Sequence, residues 1–373
     1  MRIGIPKEIK THEYRVGLTP SSVREIRRSG AHDILVQRNA GLEIGFTDDA
    51  YRSAGAKIMA SAEEIFAAAE MIVKVKEPQP QEFALLRDGQ ILFTYLHLAP
   101  DAEQTAALVK SGVIALAYET VTDDRGALPL LAPMSEVAGR MSIQAGAHCL
   151  EREQGGRGVL LGGVSGVPAA KVAIIGGGVV GTNAARMAIG LGADVTILDK
   201  SARRLQVLEE TYWPQLKTLF ATADAIEESV ASADLVVGAV LVPGARTPHV
   251  ITRQMVKEMP NGSVLVDVSI DQGGCSETSR PTTHAKPTYV DEGVVHYCVT
   301  NMPGAVARTS TFALNNVTLP FIMAIAGKGA KQALRDDPYL LAGLNIFRGR
   351  ITYKAVAEAQ GLPYMPAQTA IGG

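Results

Sequence analysis

The chain has 373 residues, of which 47% are hydrophobic and 20% charged, and its formal net charge is −2. This length is too great for one ordinary hydrophobic core and predicts two domains, while the composition is that of a folded protein rather than a disordered one. The near-neutral charge excludes an overall basic field, so neither nucleic acid nor an anionic membrane surface is an expected partner.

Three features predict a cytoplasmic protein. The first residues, MRIGIPKEIK, lack the apolar segment of a signal peptide. The longest apolar stretch, Leu235 to Val242, is too short to span a bilayer. The cysteines Cys149, Cys275 and Cys298 are widely spaced and form no metal-binding or redox pattern, as expected of thiols in a reducing compartment.

Short β-type runs alternate with helical stretches along most of the chain, a pattern typical of parallel α/β sheets. In the first third, Thr19 and Pro20 form a helix start, with an N-cap hydroxyl followed by proline at the first helical position. Strands are predicted there at Arg2–Ile5, Asp33–Gln37, Met71–Lys76, Ile91–Leu96 and Ile114–Glu119, and helices at Ser21–Arg28, Ser61–Ala69 and Asp101–Lys110.

The middle third repeats this pattern after a long predicted helix, Pro133–Gln154, and a glycine-rich loop, Gln154–Pro168. Strands are predicted at Lys171–Ile175, Asp194–Leu198, Leu235–Val240 and Ser263–Ile270. Helices resume after Met302 and are predicted at Thr311–Ala326 and Tyr353–Gln360, where we expect the chain to return to its first domain. The predicted fold is α/β, with two doubly wound parallel-sheet (Rossmann-like) domains and a cleft between them.

A glycine-rich turn in the middle third predicts a dinucleotide site. Strand Lys171–Ile175 leads into Gly176-Gly177-Gly178-Val179-Val180-Gly181, and the helical stretch Thr182–Leu191 follows. The first glycine permits a tight turn, the second lets the backbone approach a pyrophosphate, and the third lets helix and strand pack closely. The helix N-terminus then offers N–H groups and partial positive charge to the phosphates. The alternative is a structural glycine turn without a ligand.

An aspartate after the next strand favours NAD over NADP. Asp199 follows Gly181 by 18 residues, where a carboxylate can accept both ribose hydroxyls and repel a 2′-phosphate. The alternative is an ordinary surface aspartate, and the nearby cations Lys200, Arg203 and Arg204 weaken the discrimination.

Polar residues also follow strands of the first domain, where parallel α/β sheets bind ligands. Lys76 and His97 lie 21 residues apart, about one βα repeat, and Arg15 lies in the loop after the first strand. Arginine binds a carboxylate with two hydrogen bonds, lysine adds a compact charge, and histidine exchanges protons near neutral pH. We therefore expect a carboxylate substrate here. The alternative is that Lys76 and Arg15 are solvated and His97 is hydrogen-bonded in the core.

A further carboxylate, Asp271, follows the predicted strand Ser263–Ile270 and precedes Gln272-Gly273-Gly274. It would face the cleft from the cofactor side, and the alternative is a simple Asx-turn residue.

These features predict an NAD-binding Rossmann domain over residues 131–304 and a substrate (catalytic) domain formed by residues 1–130 and 305–373.

Beyond these motifs, many long segments resemble one family along essentially the whole chain, the alanine dehydrogenases. The segments are GIPKE, EYRVGLTP, VKVKEP, ILFTYLHLA, LAPMSEVAGRM, GGRGVLLGGVSGV, AVLVPGA, VDVSIDQGGCSETSRPTT and NMPGAVARTSTFALNN. The resemblance implies a bacterial, cytoplasmic, typically hexameric enzyme that converts L-alanine, NAD⁺ and water to pyruvate, ammonium and NADH.

The resemblance also implies residue roles. Arg15 and Lys76 would bind the substrate carboxylate and carbonyl, and His97 and Asp271 would be the acid/base pair. The cofactor would be bound by Ser135, Gly176, Gly178, Val179, Val180, Gly181, Asp199, Arg204, Val240, Leu241, Val268, Ser269, Ile270, Asp271, Arg280, Val299, Thr300, Asn301 and Met302.

The sequence departs from the family pattern at several positions. Ala221 replaces a serine that some members place near the adenosine, Arg204 replaces a lysine, and Ala307 replaces a proline. Ala324 and Lys328 stand where a magnesium site of some members has Glu and His, so we predict no metal.

Two other functions compete with this prediction. One is the NAD-binding component of a proton-translocating transhydrogenase, which would pass hydride to another protein. The other is a non-catalytic NAD-binding regulator. Retention of Arg15, Lys76, His97 and Asp271 favours the dehydrogenase.

Overall fold

A computed structural model describes residues 1–240 and 247–372. Among these residues the strands, in chain order, are β1 Arg2–Ile5, β2 Asp33–Gln37, β3 Lys57–Met59, β4 Met71–Val73, β5 Ile91–Thr94, β6 Ile114–Ala117, β7 Lys171–Ile175, β8 Asp194–Asp199, β9 Leu216–Phe220, β10 Leu235–Gly238, β11 Val264–Asp267, β12 Thr288–Asp291, β13 Val294–Tyr297, β14 Leu344–Phe347 and β15 Arg350–Ile351.

The helices of the same residues, in chain order, are α1 Pro20–Ser29, α2 Asp48–Ser53, α3 Ala62–Ala68, α4 Pro80–Phe83, α5 Ala102–Ser111, α6 Ala132–Cys149, α7 Val179–Gly190, α8 Ala202–Tyr212, α9 Ala223–Ser232, α10 Arg253–Glu258, α11 Ala307–Lys328, α12 Ala330–Asp336, α13 Pro338–Ala342, α14 Lys354–Gln360 and α15 Ala367–Gly372. Short 3₁₀ turns follow β6 and β11, over Tyr118–Thr120 and Val268–Gln272.

The chain divides into two compact units, each built on one sheet. The first unit comprises Met1–Pro133 and Val306–Gly373, and the second comprises Met134–Ala305. Both sheets are mostly parallel and flanked by helices, so the predicted α/β, Rossmann-like fold class is confirmed. Neither sheet is purely parallel, because β14 runs antiparallel to β6 and β12 runs antiparallel to β13.

In the first unit the strand order is β15-β14-β6-β5-β4-β1-β2-β3 over the described residues. The chain therefore runs outward from β1 through β2 and β3 on one side, and through β4, β5 and β6 on the other. The point where strand order reverses, between β1 and β4, is where a crevice opens beyond the carboxyl ends of the strands. Loops after these two strands, and after β5 next to them, form the rim of that crevice.

The second unit has the order β12-β13-β11-β10-β7-β8-β9 in the part of the chain that the structure describes. Here the reversal lies between β7 and β10. The strands β7, β10 and β11 are almost wholly buried, since helices cover both faces of a doubly wound sheet. The glycine turn that follows β7 thus lies beside the reversal point, where such sheets bind ligands.

Local signals predicted several elements correctly. The Thr19 side chain accepts a hydrogen bond from the Ser22 amide, and Pro20 is the first residue of α1. Strands β1, β2 and β7 have the predicted bounds. The predicted strands Met71–Lys76, Ile91–Leu96, Ile114–Glu119 and Ser263–Ile270 are each shorter at the carboxyl end, because the chain leaves the sheet there to form loops or 3₁₀ turns.

The core helix of the first unit, α11, has an apolar composition. With its preceding turn, the segment Met302–Lys328 is long and apolar enough to cross a membrane by length and composition, the one such segment among the described residues. Within the unit, however, Asn315 Oδ1 accepts the Thr19 amide at 2.8 Å, and Thr311 Oγ1 accepts the Val16 amide at 3.4 Å. Buried polar groups bonded to a neighbouring loop are typical of a core helix.

Candidate active site

Three glycines shape the turn between β7 and α7, each for a different steric reason. Gly176 has φ +110°, a backbone conformation that L side chains rarely adopt. A Cβ on Gly181 would lie 1.8 Å from the Gly176 carbonyl oxygen, so only glycine lets α7 pack against the turn. A Cβ on Gly178, the N-cap of α7, would meet nothing within 4 Å. Space therefore remains open at the helix N-terminus, where its N–H groups can bind an anion.

The carboxylate of Asp199, at the end of β8, closes this turn. One oxygen accepts the Gly177 amide at 2.7 Å, and the other accepts the Ser201 amide at 2.7 Å. Asp199 thus lies beside the glycine turn, on the neighbouring strand, as the dinucleotide motif requires.

Arg204 is also tied to the glycine turn. Its Nε donates to the Gly177 carbonyl at 2.6 Å, and its Nη2 donates to Thr182 Oγ1 at 2.5 Å. Lys200 and Arg203, by contrast, are exposed. Three cations were predicted to weaken the preference for NAD over NADP. Of these, Arg204 binds the glycine turn.

On the other side of β7, the turn after β11 is organised by a carboxylate that the sequence analysis missed. Asp267 is fully buried and accepts the Ser269 and Cys275 amides at 2.9 and 2.8 Å and the Ser279 hydroxyl at 2.6 Å. Ser269 Oγ in turn donates to the Val240 carbonyl at 2.7 Å, which ties the ends of β10 and β11 together.

Asp271 lies beyond this buried turn and is exposed. The prediction that it directly follows a strand is wrong, because β11 ends at Asp267 and Asp271 lies in the 3₁₀ turn Val268–Gln272. The carboxylate that caps the turn is Asp267, so the simple Asx-turn alternative describes that residue rather than Asp271.

The remaining predicted cofactor residues lie in the same unit. The Arg280 guanidinium stacks 4.0 Å from the centroid of the Tyr289 ring, and the Arg280 amide donates to the Tyr289 hydroxyl at 2.8 Å. Val299 and Met302 are buried, Asn301 has φ +71°, and Ser135 is half-buried in the first turns of α6. Leu241 lies outside the described residues.

In the first unit, Arg15 lies beyond β1 and is almost fully buried, with 2% of its side chain exposed. Its Nε and Nη2 donate to the two carboxylate oxygens of Glu13 at 2.7 and 2.5 Å. Burial raises the pKa of Glu13, but the Arg15 charge and hydrogen bonds outweigh it and lower that pKa to about 2. Arg15 is therefore held in place by a charged partner, and the alternative of a solvated Arg15 is wrong.

Lys76 follows β4 and is half-buried, three residues beyond the end of the strand. Glu8 Oε1 accepts the Val75 amide at 2.6 Å and the Lys76 amide at 3.4 Å. Glu8 also forms an ion pair with the buried Lys74, whose Nζ contacts Glu8 Oε2 at 3.2 Å and Glu82 Oε1 at 3.0 Å. Burial nevertheless raises the pKa of Glu8 to about 6. The chain that carries Lys76 is thus fixed by a buried network of charges.

His97 follows β5, with 50% of its side chain exposed, so the alternative of a core histidine is wrong. Its ring is stacked on that of Tyr95, at 5.9 Å between centroids and 7° between planes. Glu119 Oε1 accepts the His97 amide at 2.6 Å. Burial raises the pKa of Tyr95, and the charge of Arg15 opposes that rise. The charge of Lys76 helps to lower the pKa of Glu13, so both cations act on groups of this rim.

The structure therefore brings Arg15, Lys76 and His97 to the strand-order reversal of the first unit, while Asp271 and the predicted cofactor residues belong to the second. Sequence reasoning missed the glutamates that hold Arg15, Lys76 and His97. These glutamates are Glu13, Glu8 and Glu119, respectively. The Glu13–Arg15 spacing was a usable signal, because residues two apart in an extended chain lie on the same side. Among the described residues, no group of three or more His, Cys, Asp or Glu could hold a metal ion.

The family "Alanine dehydrogenase/PNT, N-terminal domain" matches residues 4–138, and "Alanine dehydrogenase/PNT, C-terminal domain" matches residues 142–354. An alanine dehydrogenase of Halomonas elongata is 60% identical over 100% of both chains, and one of Bacillus subtilis is 56% identical over 100% of this chain and 98% of the relative. A solved L-alanine dehydrogenase is similar with a TM-score of 0.94 and 52% identity, covering 97% of this chain and 99% of that one. A transhydrogenase of Sinorhizobium meliloti, at 24% identity and a TM-score of 0.81, covers 95% of this chain and 100% of its own and shows a shared fold.

Proposed function

This chain belongs to the alanine dehydrogenase/PNT family, and we propose that it is an NAD-dependent alanine dehydrogenase. The reaction converts L-alanine, NAD⁺ and water to pyruvate, ammonium, NADH and a proton, reversibly. The observation that carries this proposal is the identity of 60% to an alanine dehydrogenase over the full length of both chains. The arrangement of Arg15, Lys76 and His97 at one rim supports it.

The NAD-binding domain that we propose, residues 131–304, would bind the dinucleotide. The open space at Gly178 and the α7 N-terminus fit a pyrophosphate, and Asp199 fits a ribose diol. Arg280 and the residues after β10, β11 and β13 would line the remainder of the site, including Leu241. NAD, when bound, supplies a hydride acceptor for the substrate Cα–H bond.

Residues 1–130 and 305–373 would bind the substrate. Arg15 would pair with the substrate carboxylate, and its own paired Glu13 keeps the guanidinium fork in one orientation. Lys76 would place a positive charge at the carbonyl oxygen of pyruvate. Both side chains approach from the loops beyond β1 and β4, so they would hold the two ends of a small 2-oxo acid.

His97 and Asp271 would handle protons. Oxidation of the Cα–N bond yields an iminium, which water must attack to give a carbinolamine, and the carbinolamine must lose ammonia. His97, whose side chain is half-exposed, would take a proton from the attacking water and return one to the leaving nitrogen, because an imidazole can both accept and donate a proton. The carboxylate of Asp271 would stabilise the cationic iminium and orient the water.

We also propose a cytoplasmic location and a homohexamer, as the family resemblance implies. The competing transhydrogenase component is the weaker candidate. The transhydrogenase that resembles this chain is 24% identical, whereas the alanine dehydrogenases named above are 52–60% identical over nearly the full chain.

The experiment that tests the proposal is NADH formation at alkaline pH from NAD⁺ and L-alanine, with D-alanine, glycine and L-serine in parallel. We expect absorbance at the NADH wavelength to rise fastest with L-alanine and to reverse with pyruvate and ammonium. Absence of NADH formation with every amino acid, from folded protein that binds NADH, would contradict it.

A further inference from the structure

His97 has a backbone conformation that residues other than glycine adopt infrequently. Its φ is +50°, in the left-handed region, where the Cβ of an L-residue is crowded by the backbone. Strained residues of this kind persist only where the surrounding structure holds them, and they concentrate at functional sites. Some group must therefore fix the chain at His97.

Glu119 holds this segment of chain. It lies in the 3₁₀ turn Tyr118–Thr120 after β6, the strand beside β5. Its Oε1 accepts the His97 amide at 2.6 Å, and both of its oxygens accept the Leu96 amide at 3.2 Å. Only 14% of the Glu119 side chain is exposed, and hydrogen bonds that a carboxylate accepts from amides are stronger than those between neutral groups.

A second contact fixes the imidazole ring itself. One face of the ring lies parallel to Tyr95, whose hydroxyl donates to the Leu130 carbonyl at 2.6 Å. The His97 Nδ1 lies 3.9 Å from Glu119 Oε1. Glu119 thus binds the backbone of His97, and Tyr95 lies against one face of its ring.

We propose that Glu119 is a positioning residue for His97. It holds the strained backbone so that the ring remains stacked on Tyr95 with its outer nitrogen toward the substrate. This inference rests on the proposed acid/base role of His97. It assigns Glu119 an effect on turnover that passes through His97 alone, and no effect on NADH binding.

A double-mutant cycle tests this. Misplacing a catalytic group by about 1 Å can cost about a hundred-fold in rate, so Glu119→Ala should lower kcat by about ten- to a hundred-fold. In a His97→Ala background the same change should alter kcat by less than about twofold, because the residue through which Glu119 acts is gone. Glu119→Gln, which retains an acceptor oxygen for the His97 amide, should recover most of the loss. Glu103→Ala, on the exposed face of α5, is the control and should behave as the wild type.

Hydrogen exchange provides a readout that does not depend on activity. In Glu119→Ala the amides of Leu96 and His97 should exchange at least about tenfold faster, and in Glu119→Gln at nearly the wild-type rate. If Glu119→Ala does not fold, Glu119→Asp, whose carboxylate falls short by one methylene, replaces it in both measurements with the same expectations.

The outcomes separate this inference from the proposed function. Wild-type turnover in folded Glu119→Ala, an equal loss of kcat with and without His97, or unchanged exchange at Leu96 and His97 would each overturn the positioning role. A different result would overturn the proposed function instead. In that case the Leu96 and His97 amides would exchange fast in Glu119→Ala, as the contact with Glu119 predicts, but the wild-type protein would not oxidise alanine.

Discussion

The glycine turn of the second unit and the strand ends of the first are two ways to build a binding site on the same kind of sheet. In the glycine turn, the ligand-facing groups are main-chain N–H groups and open space, shaped by Gly176, Gly178 and Gly181. At the rim of the first unit, the groups are side chains, and a separate glutamate holds each of Arg15, Lys76 and His97.

The two designs differ in how far apart their parts lie in the sequence. The glycine turn is complete within one strand, turn and helix, with Asp199 on the next strand. The rim of the first unit depends on partners such as Glu8, 67 residues before Val75, and Glu119, 22 residues after His97. The glycines that shape the backbone site thus lie close together in the sequence. At the rim, the chain at Lys76 and at His97 is held by distant residues, whereas Arg15 is held by the nearby Glu13.

The largest effect should come from the rim. His97→Ala removes the proposed proton carrier and should lower kcat by about a hundred-fold or more, the scale of general acid–base catalysis. NADH affinity should be unchanged, because the glycine turn lies in the other unit. Steady-state rates and fluorescence titration with NADH measure the two, and His148→Ala, at an exposed histidine of α6, is the control. Near-normal turnover in folded His97→Ala would remove His97 from the chemistry.

A comparable change at the glycine turn should instead affect cofactor binding. Asp199→Ala should weaken NAD by about ten- to a hundred-fold, the loss of a charged hydrogen bond of about 1.5–3 kcal/mol, and narrow its advantage over NADP. Asp199→Asn keeps an acceptor for the Gly177 amide and so separates ribose binding from support of the turn. The exposed Asp224→Ala is the matched control, and unchanged affinity for both cofactors in Asp199→Ala would contradict the assignment.

Arg15→Lys should have a smaller, selective effect. Lysine keeps the charge but cannot bond both Glu13 oxygens and a substrate carboxylate with a planar fork. The KM for alanine and for pyruvate should rise by about tenfold, the loss of about 1.4 kcal/mol, with NADH affinity intact. Arg28→Lys, on the exposed end of α1, serves as the comparison, and an unaltered KM for both substrates would exclude Arg15 from the site.

A further effect concerns stability rather than rate or binding. Burial raises the pKa of Glu8 from 4.5 to about 6, so the folded state binds this proton more tightly than the unfolded state. Ionising Glu8 therefore costs stability, which is lost as pH rises from about 4.5 through 6, in total about 2 kcal/mol. Glu8→Gln should lack this dependence. Its free energy of unfolding, measured with denaturant, should therefore rise relative to that of the wild type as pH rises over that range. A difference in unfolding free energy between the two proteins that does not change with pH would contradict the raised pKa of Glu8.

Sequence reasoning succeeded where the signal is local and failed where it is not. The buried strands β1, β2 and β7 and the Thr19 cap follow directly from apolar runs and capping residues. Six strands of the described residues were missed: β3, β9, β12, β13, β14 and β15. β9 is an edge strand with mostly exposed side chains, and β14 is a short antiparallel addition among helices, so neither has a clear apolar period. The candidate residues Arg15, Lys76 and His97 were found from their positions after strands. The partners Glu8 and Glu119 could not be found in this way, because their contacts depend on strand order, which the sequence does not display.

The most direct test of the proposed oxidation of L-alanine by NAD⁺ follows the hydrogen on the substrate Cα. The folded protein is incubated with NAD⁺ and L-alanine deuterated at Cα, and the NADH formed is analysed by mass spectrometry. We expect NADH that carries one deuterium, with pyruvate formed in equal amount. NADH without deuterium, or deuterated alanine left unconsumed by protein that binds NADH, would contradict it.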